Sequence, residues 1–494
     1  MVHPYVLAID QGTTGTRSLL VDRRGRITRS SYREITQHYP KPGWVEHDAG
    51  EIWDSVVGTM RKVLAGVKPG QVAAIGITNQ RETTVVWDRA RARPIARAIV
   101  WQCRRTADRC DALRRQGLEA KVRRRTGLPI DAYFSGTKAA WLLDHHSGSR
   151  ARASRGDALF GTIDSWLVFR LTGGAAHRTD FTNASRTLLY DIHRRRWDPD
   201  LLDLLGVPAA MLPEVVPSSS LFGATRGVPG VPDGIPIGGV AGDQQAALFG
   251  QGCLAPGSVK NTYGTGCFAV MNTGPRAVAS RNGLITTLAC GNGPEPVYAL
   301  EGSVFIAGAA VQWLRDSMRF VARASETEAI ARAARDTGGV YVVPAFVGLG
   351  APYWDPHARG AVLGLTRGSN REQIVRATLE SIAYQTRDVL DAMRRDTGLP
   401  IRDLRVDGGA STNDFLMQFQ ADILNARVAR PKVTETTALG AAFLAGIHAG
   451  LWQDARDAAR GSAVGRTFRP TMPAKEREAR YAGWRDAVAR VRSR

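Results

Sequence analysis

One local pattern occurs in both halves of this 494-residue chain: a strand, a turn rich in Gly and Thr, and a second strand. In the first half the segments are YVLAID, QGTTGT and RSLLVD, and in the second half they are SVKNTY, GTG and CFAVMNT. Alternation of apolar and polar residues predicts the strands. The repeat predicts an α/β fold built twice, with the two turns facing each other across a cleft. We place the boundary near Gly250, which gives domains of residues 1–250 and 251–494.

Shorter signals predict the neighbouring elements. The segment ITRSSYREI predicts a third antiparallel strand, and Asp48-Ala-Gly-Glu51 predicts a helix that begins with a capping box. In the second half, LITTLACGNGPEPVYALEG predicts a hairpin and SVFIAGAAVQWLRD predicts a helix. The segment IRDLRVDGGASTNDFLMQFQADIL predicts a strand, a Gly-Gly turn and a helix.

Composition excludes several classes of protein. Hydrophobic residues make up 44% of the chain and charged residues 23%, as in globular domains rather than disordered chains. No apolar run reaches the roughly eighteen residues that a membrane span needs. The N-terminus, MVHPYVLAID, lacks the cationic start and apolar core of a signal peptide, so we expect a cytoplasmic protein. The five cysteines are scattered and form no Cys-x-x-Cys pair, which favours free thiols over disulfides or a zinc site.

The formal net charge of +20 raises the question of nucleic-acid binding. Lysine supplies only eight of the 66 basic residues, and arginine is enriched along the whole length, which indicates a compositional bias. The arginine runs at 123–125 and 194–196 lack the interleaved aromatic residues of a base-stacking surface. We therefore expect no nucleic-acid partner and rank that function last.

The first Gly/Thr turn, Asp10 to Arg17, has the residues of a phosphate site. Its glycines let backbone N–H groups converge on an anion, Thr13 and Thr14 add hydroxyl donors, and Arg17 adds a cation. Asp10 ends the strand and is placed to hold a hydrated Mg²⁺ that shares the substrate's phosphates. Taken alone, this segment is better explained as an ordinary hairpin turn. The presence of a second Gly/Thr turn favours the phosphate site instead.

The second turn, Tyr263-Gly264-Thr265-Gly266-Cys267, could hold the same polyphosphate from the opposite side. Gly264 to Ala269 also fits the dinucleotide fingerprint G-x-G-x-x-A, but that fingerprint opens a helix, whereas CFAVMNT continues as a strand. No P-loop or protein-kinase motif occurs in the sequence. Further along, Gly408 and Gly409 could let a flat base approach the backbone, and Asn413 could hydrogen-bond an adenosine. A tight turn explains this last segment better if it is taken alone.

Polar side chains also follow two apolar strands, in the segments NQRETT and AGDQQ. These positions lie at the carboxyl ends of the strands, where α/β proteins place ligands. Asp243 could accept a proton from an attacking hydroxyl. The candidates for contact with a small polyol are Arg81, Glu82, Asp243 and Gln244, with Trp101 and Phe268 against its carbon skeleton.

Taken together, these segments resemble the FGGY carbohydrate kinase family over essentially the whole chain. The matching segments are DQGTTGTR, GWVEHD, NQRETT, WQCRRT, YFSGTK, DSWL, AGDQQAALFGQ, KNTYGTGCF, DGGASTNDFLMQFQADIL and RYAGWRDAV. A later pair of segments, GAVLGL and QIVRATLE, fits the family's second signature. NQRETT and AGDQQAAL resemble the branch that phosphorylates glycerol, because sugar kinases of the family carry other residues there.

The resemblance implies two ribonuclease H-like domains of the actin, hexokinase and heat-shock chaperone type, with ATP and substrate in the cleft between them. It implies in-line phosphoryl transfer from ATP to glycerol, giving sn-glycerol 3-phosphate, with Asp243 as general base and Mg²⁺ near Asp10 and Asp243. Gly15 replaces a Ser of many relatives, which removes one hydroxyl donor. By similarity, glycerol contacts Arg81, Glu82, Tyr133, Asp243 and Gln244, and ATP contacts Thr13, Thr14, Gly15, Arg17, Thr265, Gly308, Gln312, Gly409 and Asn413.

Two other functions stay open at this point. A family kinase for another polyol or a ketose would differ in its substrate panel, and an actin-like or chaperone-like ATPase would hydrolyse ATP regardless of glycerol. The segment from Val228 to Gly234 has Asp233 near the place where regulated relatives carry Arg, and no His occurs from Leu221 to Gly239. We therefore expect neither inhibition by fructose 1,6-bisphosphate nor activation by His phosphorylation. We also expect a homo-oligomer, either a dimer or a tetramer.

Overall fold

The computed structural model describes residues 4–291, 293, 295–460 and 464–493. The strands of the first half are β1 (Tyr5–Gln11), β2 (Gly15–Asp22), β3 (Ile27–Glu34), β4 (Glu46–His47), β5 (Val72–Asn79), β6 (Val85–Asp88), β7 (Arg93–Pro94), β8 (Ala98–Ile99), β9 (Ala158–Gly161), β10 (Arg178–Asp180), β11 (Tyr190–Asp191), β12 (Arg196–Trp197), β13 (Glu214–Val216), β14 (Ser219–Ala224) and β15 (Pro236–Gly242). The helices of the first half are α1 (Ala49–Leu64), α2 (Ala107–Arg115), α3 (Glu119–Thr126), α4 (Ser135–His145), α5 (Ser149–Ser154), α6 (Ile163–Leu171), α7 (Phe181–Ala184), α8 (Pro199–Leu205) and α9 (Asp243–Gly250).

The second half continues the same mixture of elements. Its strands are β16 (Val259–Tyr263), β17 (Cys267–Gly274), β18 (Ile285–Ala289), β19 (Val297–Val304), β20 (Tyr341–Val343), β21 (Ala361–Leu363), β22 (Asp403–Asp407), β23 (Arg427–Pro431) and β24 (Val464–Phe468). Its helices are α10 (Gly308–Asp316), α11 (Glu326–Ala333), α12 (Arg371–Thr397), α13 (Asp414–Leu424), α14 (Thr436–His448), α15 (Ala455–Ala459) and α16 (Ala474–Val491). None of the described helices has the length and apolar character of a bilayer-crossing segment.

Two large sheets, one in each half, share one strand arrangement. In the first half, β3, β2 and β1 are antiparallel neighbours, and β1, β5 and β15 are parallel neighbours. In the second half, β19, β17 and β16 are antiparallel, and β16, β22 and β23 are parallel. Three antiparallel strands followed by parallel ones in this order form the ribonuclease H-like plan. The predicted duplicated α/β fold is therefore confirmed.

Helices cover both faces of the first sheet. Leu7 and Ile9 of β1 pack in one apolar cluster with α1, whereas Val6 and Ala8 pack in a second cluster with α14. Strand β5 is buried at all eight positions, as expected for a strand with helices on both sides. The carboxyl ends of β1, β5 and β15 consequently meet at one edge of the sheet, which is where the polar segments begin.

Helix α1, which begins after Asp48, has the N-cap hydrogen bonds of Asp48 but not the reciprocal Glu51 bond of a capping box. Asp48 Oδ1 accepts hydrogen bonds from the backbone N–H of Gly50 at 2.7 Å and of Glu51 at 3.3 Å. The predicted capping box also requires Glu51 to bond back to the first residue, but its carboxylate accepts from the Thr36 backbone N–H at 3.0 Å instead. The predicted helix start is correct, and the reciprocal bond is replaced by a contact with the end of β3.

The helix predicted over SVFIAGAAVQWLRD begins later than its sequence suggests. Ser303 and Val304 belong to β19, where they pair with Phe268 and Cys267, and α10 begins only at Gly308. Sheet pairing overrides the local helical signal because β17 offers a ready partner strand. The predicted hairpin of β18 and β19 is confirmed in its strands, although positions 292 and 294 of its turn lie outside the described residues.

Helix α14 comes from the second half of the chain but packs on the sheet of the first half. A Cβ atom at Gly440 would lie 1.9 Å from the Ala246 backbone oxygen, and one at Gly76 would lie 2.1 Å from the Ala441 oxygen. The helix therefore approaches α9 and β5 at backbone contact distance. This close approach places the segment before α14, including Glu435, beside the first Gly/Thr turn.

Candidate functional site

A cavity of about 440 Å³ lies between the two halves, at the first Gly/Thr turn. The turn is closed by a hydrogen bond from the Gly12 N–H to the Gly15 oxygen at 2.9 Å. The cavity is lined by Asp10, Gly12, Thr14, Gly15, Arg17, Tyr32, Gly408, Gly409, Thr412, Thr434 and Glu435. Backbone N–H groups, hydroxyls and a guanidinium in one concave surface form an anion-binding environment.

The predicted nucleotide contacts divide between this cavity and its surroundings. Thr14, Gly15, Arg17 and Gly409 line the cavity, whereas Thr13, Thr265, Gly308, Gln312 and Asn413 do not. Thr265 and Gly308 lie together, because the Ala307 N–H donates to the Thr265 oxygen at 2.9 Å and the Gly308 N–H donates to the Gly264 oxygen at 3.0 Å. The second turn is thus tied to the start of α10, which also carries Gln312.

Asn413 has a structural role at the start of α13. Its Oδ1 accepts from the Leu416 N–H at 2.9 Å, and its Nδ2 donates to Thr327 Oγ1 at 3.3 Å. Gly409 lies in a short 3-10 helix, and a Cβ there would meet no atom within 4 Å. Of the two predicted adenosine contacts, Gly409 therefore has open space in front of it, while the amide of Asn413 caps a helix.

Acidic groups meet at the edge of the cavity. Burial, together with the negative charges of Asp243 and Glu435, raises the pKa of Asp10 to about 7, and Arg17 offsets this only in part. Arg17 itself forms an ion pair with Glu435. A bound cation would offset the negative charges that gather around Asp10, and Mg²⁺ prefers carboxylate oxygens together with water and phosphate.

The carboxylates do not form a complete protein cage for a metal. Among residues 4–291, 293, 295–460 and 464–493, no group of three or more His, Cys, Asp or Glu side chains is close enough to hold an ion. Asp10 and Asp243 could supply at most part of the coordination. This is the arrangement expected for Mg²⁺ that retains waters and binds substrate phosphates.

The predicted polyol contacts lie together at the carboxyl ends of β5 and β15. Arg81 Nε lies 3.1 Å from Asp243 Oδ1, and Arg81 Nη1 donates to Gln245 Oε1 at 3.2 Å. The side chains of Arg81 and Glu82 are each 2% exposed, whereas that of Asp243 is 30% exposed. Asp243 is thus the carboxylate of this group that an incoming hydroxyl can reach.

Three aromatic rings lie beside this polar group. Trp101 makes edge contacts with Tyr133, at a ring-centroid distance of 5.6 Å, and with Phe268, at 6.4 Å. Trp101 Nε1 also donates to Thr13 Oγ1 at 3.0 Å. The aromatic group therefore combines residues of both halves and connects the polar group at β5 and β15 to the first Gly/Thr turn.

A buried lysine ties together the two segments that carry Glu82 and Tyr133. Lys138 Nζ donates to the Tyr133 oxygen at 2.6 Å and to the Glu82 oxygen at 3.3 Å. Burial lowers the pKa of Lys138 to about 7. Glu82 has a φ of 59°, an unusual value for a residue with a Cβ. Such strain persists where surrounding contacts determine the conformation, as they do here.

Sequence reasoning missed four residues that contact the predicted polyol site: Gln245, Arg186, Lys260 and Glu301. Lys260 Nζ donates to Gln244 Oε1, and Glu301 accepts hydrogen bonds from both Arg81 and Arg186. Glu301 had a visible signal, because it is a lone carboxylate within the apolar strand VYALEGSV. Arg186, in the segment NASRTLLY, had none.

Family models match nearly the whole chain. A model described as the FGGY family of carbohydrate kinases, N-terminal domain, matches residues 5–250. The model for the C-terminal domain of the same family matches residues 259–449.

Individual proteins match over their full length. The chain is 58% identical over 494 residues to a glycerol kinase of Carboxydothermus hydrogenoformans, covering 100% of this chain and 99% of that protein. It is 59% identical over 491 residues to a glycerol kinase of Symbiobacterium thermophilum, covering 99% and 98%. The crystal structure of Plasmodium falciparum glycerol kinase with ADP matches with a TM-score of 0.94 at 37% identity, covering 99% of this chain and 98% of that one.

Proposed function

Because the chain belongs to the FGGY family of carbohydrate kinases, we propose that its cleft transfers the γ-phosphoryl group of ATP to glycerol. The products are sn-glycerol 3-phosphate and ADP. The observation that carries the proposal is the position of Asp243, a partly exposed carboxylate at the same sheet edge as Asp10 and the phosphate-binding turn. The full-length similarity to two bacterial glycerol kinases supports glycerol over other polyols and ketoses.

Glycerol lies in the polar pocket next to the aromatic group. Its hydroxyls bond to Arg81, Glu82, Tyr133, Asp243 and Gln244, and Trp101 and Phe268 lie along its carbon atoms. Three charged side chains, a phenol and an amide give both donors and acceptors, which suits a molecule with one hydroxyl on each carbon. These contacts hold the terminal hydroxyl in line with the γ-phosphorus, and positioning of this kind supplies much of the rate in phosphoryl transfer.

Asp243 accepts the proton of the attacking hydroxyl. Arg81 Nε and the Gln244 N–H both contact Oδ1, at 3.1 and 2.7 Å, so we assign Oδ2 as the basic oxygen. These two donors hold the carboxylate in one orientation, as a general base requires.

The two Gly/Thr turns hold the phosphates of ATP. Thr13, Thr14, Gly15 and Arg17 contact them from the first half, and Thr265, Gly308 and Gln312 from the second, while Gly409 and Asn413 lie at the adenosine. Mg²⁺ bound at Asp10 and Asp243 would offset the phosphate charge that builds up during transfer. When ATP binds, Arg17 leaves its ion pair with Glu435 and pairs with a phosphate instead. Closure of the cleft excludes water, which would otherwise compete as the nucleophile.

The activity is tested by ADP release with MgATP and a panel of glycerol, dihydroxyacetone, pentuloses and hexonates. We expect glycerol to give the highest kcat/KM. ADP release that is independent of added polyol would favour an actin-like or chaperone-like ATPase, and a ketose preference would favour another family kinase.

The role of Asp243 is tested by Asp243→Asn. Loss of a general base lowers kcat by roughly 10²-fold to 10⁴-fold, whereas glycerol binding measured by calorimetry without ATP stays within about threefold. Asp108→Asn, at an exposed position of α2, is the matched control and keeps full activity. Near-normal turnover in the Asp243 variant would remove it from the proton-accepting role.

Three further properties belong to the same proposal. The domain division lies near Gly250, supported by one large sheet on each side of it. The protein works in the cytoplasm, where ATP is available and where the five cysteines, all buried and unpaired, stay reduced. It assembles as a dimer or tetramer, for which light scattering of the purified chain is the direct measurement.

A further inference from the structure

Two arginines and two glutamates form a buried ion cluster behind the polyol pocket. Arg81, Glu82, Arg186 and Glu301 are each no more than 3% exposed. Arg81 Nη1 donates to Glu301 Oε2 at 2.5 Å and Arg81 Nη2 donates to Glu301 Oε1 at 3.1 Å. Arg186 Nη2 donates to Glu301 Oε1 at 3.1 Å, and Arg186 Nε donates to Glu82 Oε1 at 2.5 Å. We call these four residues the ion quartet.

The quartet joins the two halves of the chain. Arg81, Glu82 and Arg186 belong to the first half, whereas Glu301 belongs to β19, where it pairs with Val270 of the neighbouring strand in the second sheet. Glu301 thus bonds to Arg81, which is 220 positions away in sequence, and to Arg186, which is 115 positions away. Glu301 reaches the pocket because the second sheet docks against the first half.

The charges within the quartet depend on one another. Although burial opposes ionisation, the guanidinium groups of Arg186 and Arg81 lower the pKa of Glu301 to about 2, so it is a carboxylate at every physiological pH. A buried ion is stable only with its partners in place, and removal of one leaves the others without compensation. Arg81 would then lose its two-point contact and keep its contacts with Asp243 at 3.1 Å, Gln245 at 3.2 Å and Glu82 at 4.0 Å.

Arg186 supports the other side of the pocket. Its guanidinium carbon lies 5.4 Å from the centre of the Tyr133 ring and 5.3 Å from that of Phe134, which are cation–π distances. It also holds the Glu82 carboxylate. Arg81, Glu82 and Tyr133, three of the proposed glycerol contacts, therefore rest on the Arg186–Glu301 pair.

We propose that Arg186 and Glu301 are positioning residues for the polyol site, and that Glu301 makes the geometry of that site depend on the docked second half. Neither residue needs to touch glycerol. Arg186 orients Glu82 and Tyr133, and Glu301 orients Arg81, which in turn holds Asp243 Oδ1. This inference rests on the proposed glycerol kinase activity and adds residues that act through the substrate contacts.

The principal test is Glu301→Gln, which keeps the side-chain shape but removes the charge. We expect the glycerol Kd, measured by calorimetry without ATP, and the glycerol KM to rise at least tenfold. The ATP KM should stay within about twofold, because the phosphate-binding turns do not contact Glu301. This split between the two substrates is a result that general destabilisation does not produce.

Glu380→Gln is the matched control. Glu380 is buried like Glu301, with 2% exposure, and lies in the second half, where it pairs with Arg376 at 2.8 Å and Arg480 at 3.5 Å. Its loss should lower Tm to a similar degree without changing the glycerol Kd. The proposal fails if Glu301→Gln binds glycerol within twofold of the unchanged chain, or if Glu380→Gln weakens glycerol binding equally.

A second pair of variants covers the case in which Glu301→Gln does not fold. Glu301→Asp and Arg186→Lys keep the charge and lose the two-point geometry, so each should fold and raise the glycerol KM by about three- to tenfold. Unchanged glycerol KM in both variants would overturn the proposal. Failure of the proposed kinase activity would be distinguished from failure of the positioning proposal, because in that case the unmodified chain would release no ADP in response to glycerol.

Discussion

At the scale of single residues, Tyr32 takes the place that a side chain at Gly15 would need. A Cβ at Gly15 would lie 2.6 Å from the Tyr32 hydroxyl and 2.6 Å from the Arg33 backbone oxygen. Tyr32 lines the phosphate cavity, and its hydroxyl lies 3.5 Å from Thr14 Oγ1. Sequence comparison suggested only a lost hydroxyl at position 15, whereas the structure supplies a hydroxyl from β3 beside it.

Tyr32→Phe tests whether this hydroxyl binds phosphate. One lost hydrogen bond costs about 0.5–1.5 kcal/mol, so we expect the ATP KM to rise by roughly three- to tenfold with the glycerol KM unchanged. Tyr39→Phe is the control, because Tyr39 is 69% exposed and does not line the cavity. An unchanged ATP KM in steady-state kinetics would show that Tyr32 only fills space.

At the scale of elements, α14 connects the cavity at the first Gly/Thr turn to the first sheet. Thr434 and Glu435, which line the cavity, directly precede the helix, and the helix packs at backbone distance on α9 and β5. Small residues at positions 440, 441 and 442 make this approach possible. The position of Glu435 opposite Arg17 is thus determined by how closely α14 sits on the sheet.

Gly440→Ala tests this packing. In an exposed helix the change would stabilise the protein by about 1 kcal/mol, but here the new Cβ would lie 1.9 Å from the Ala246 oxygen. Overpacking of this kind costs roughly 1–3 kcal/mol, so we expect Tm to fall by several degrees in calorimetry.

Gly58→Ala in α1 is the control for that variant. A Cβ at Gly58 would come no closer than 3.5 Å to its nearest neighbour, Arg33 Nη1. Its Tm should therefore stay constant or rise. A Gly440→Ala variant that is as stable as the unchanged chain would show that α14 can move away from the sheet at little cost.

At the scale of the whole molecule, the cleft carries a charge arrangement that favours ligands over the empty state. Asp10 lies at the cavity edge, and burial together with the negative charges of Asp243 and Glu435 raises its pKa to about 7. An ionised Asp10 therefore destabilises the ligand-free fold. This contribution is absent well below its unfolded pKa of 3.8, grows as pH rises towards 7, and is complete above 7.

Asp10→Asn should consequently raise Tm of the ligand-free protein, and the difference from the unchanged chain should grow between pH 5 and pH 8. We expect a gain of at least about 2 °C at pH 8, measured by calorimetry without Mg²⁺. Comparing the Tm of the variant with that of the unchanged chain at the same pH removes the contributions of other groups with shifted pKa, such as Asp164 and Lys138. A difference that is constant over this range would contradict the raised pKa of Asp10.

Much of the fold and several parts of the site followed from the sequence alone. Strand and turn patterns depend on neighbouring residues, so β1, β2, β16, β17 and the turns between them were predictable from spacing and residue type. Because the carboxyl ends of parallel strands share a sheet edge, the sequence alone predicts that the segments with Arg81 and Asp243 lie together. Local signals were misleading where contacts with distant residues decided the outcome, as for Ser303, which pairs with β17, and for Glu51, which bonds to Thr36.

Only the tertiary structure decided which distant residues complete the site. Glu301, Arg186, Tyr32 and Glu435 reach the cleft through sheet register, helix approach and the docking of two halves, none of which has a period or motif in the sequence. A buried charge is stable only when its partners are in place, so the contacts of Arg186 and Glu301, both fully buried, are strict requirements. Local segments of the sequence thus carry the binding and reactive groups. The geometry that aligns these groups arises from contacts between distant residues, such as Arg17 and Glu435, which are 418 positions apart.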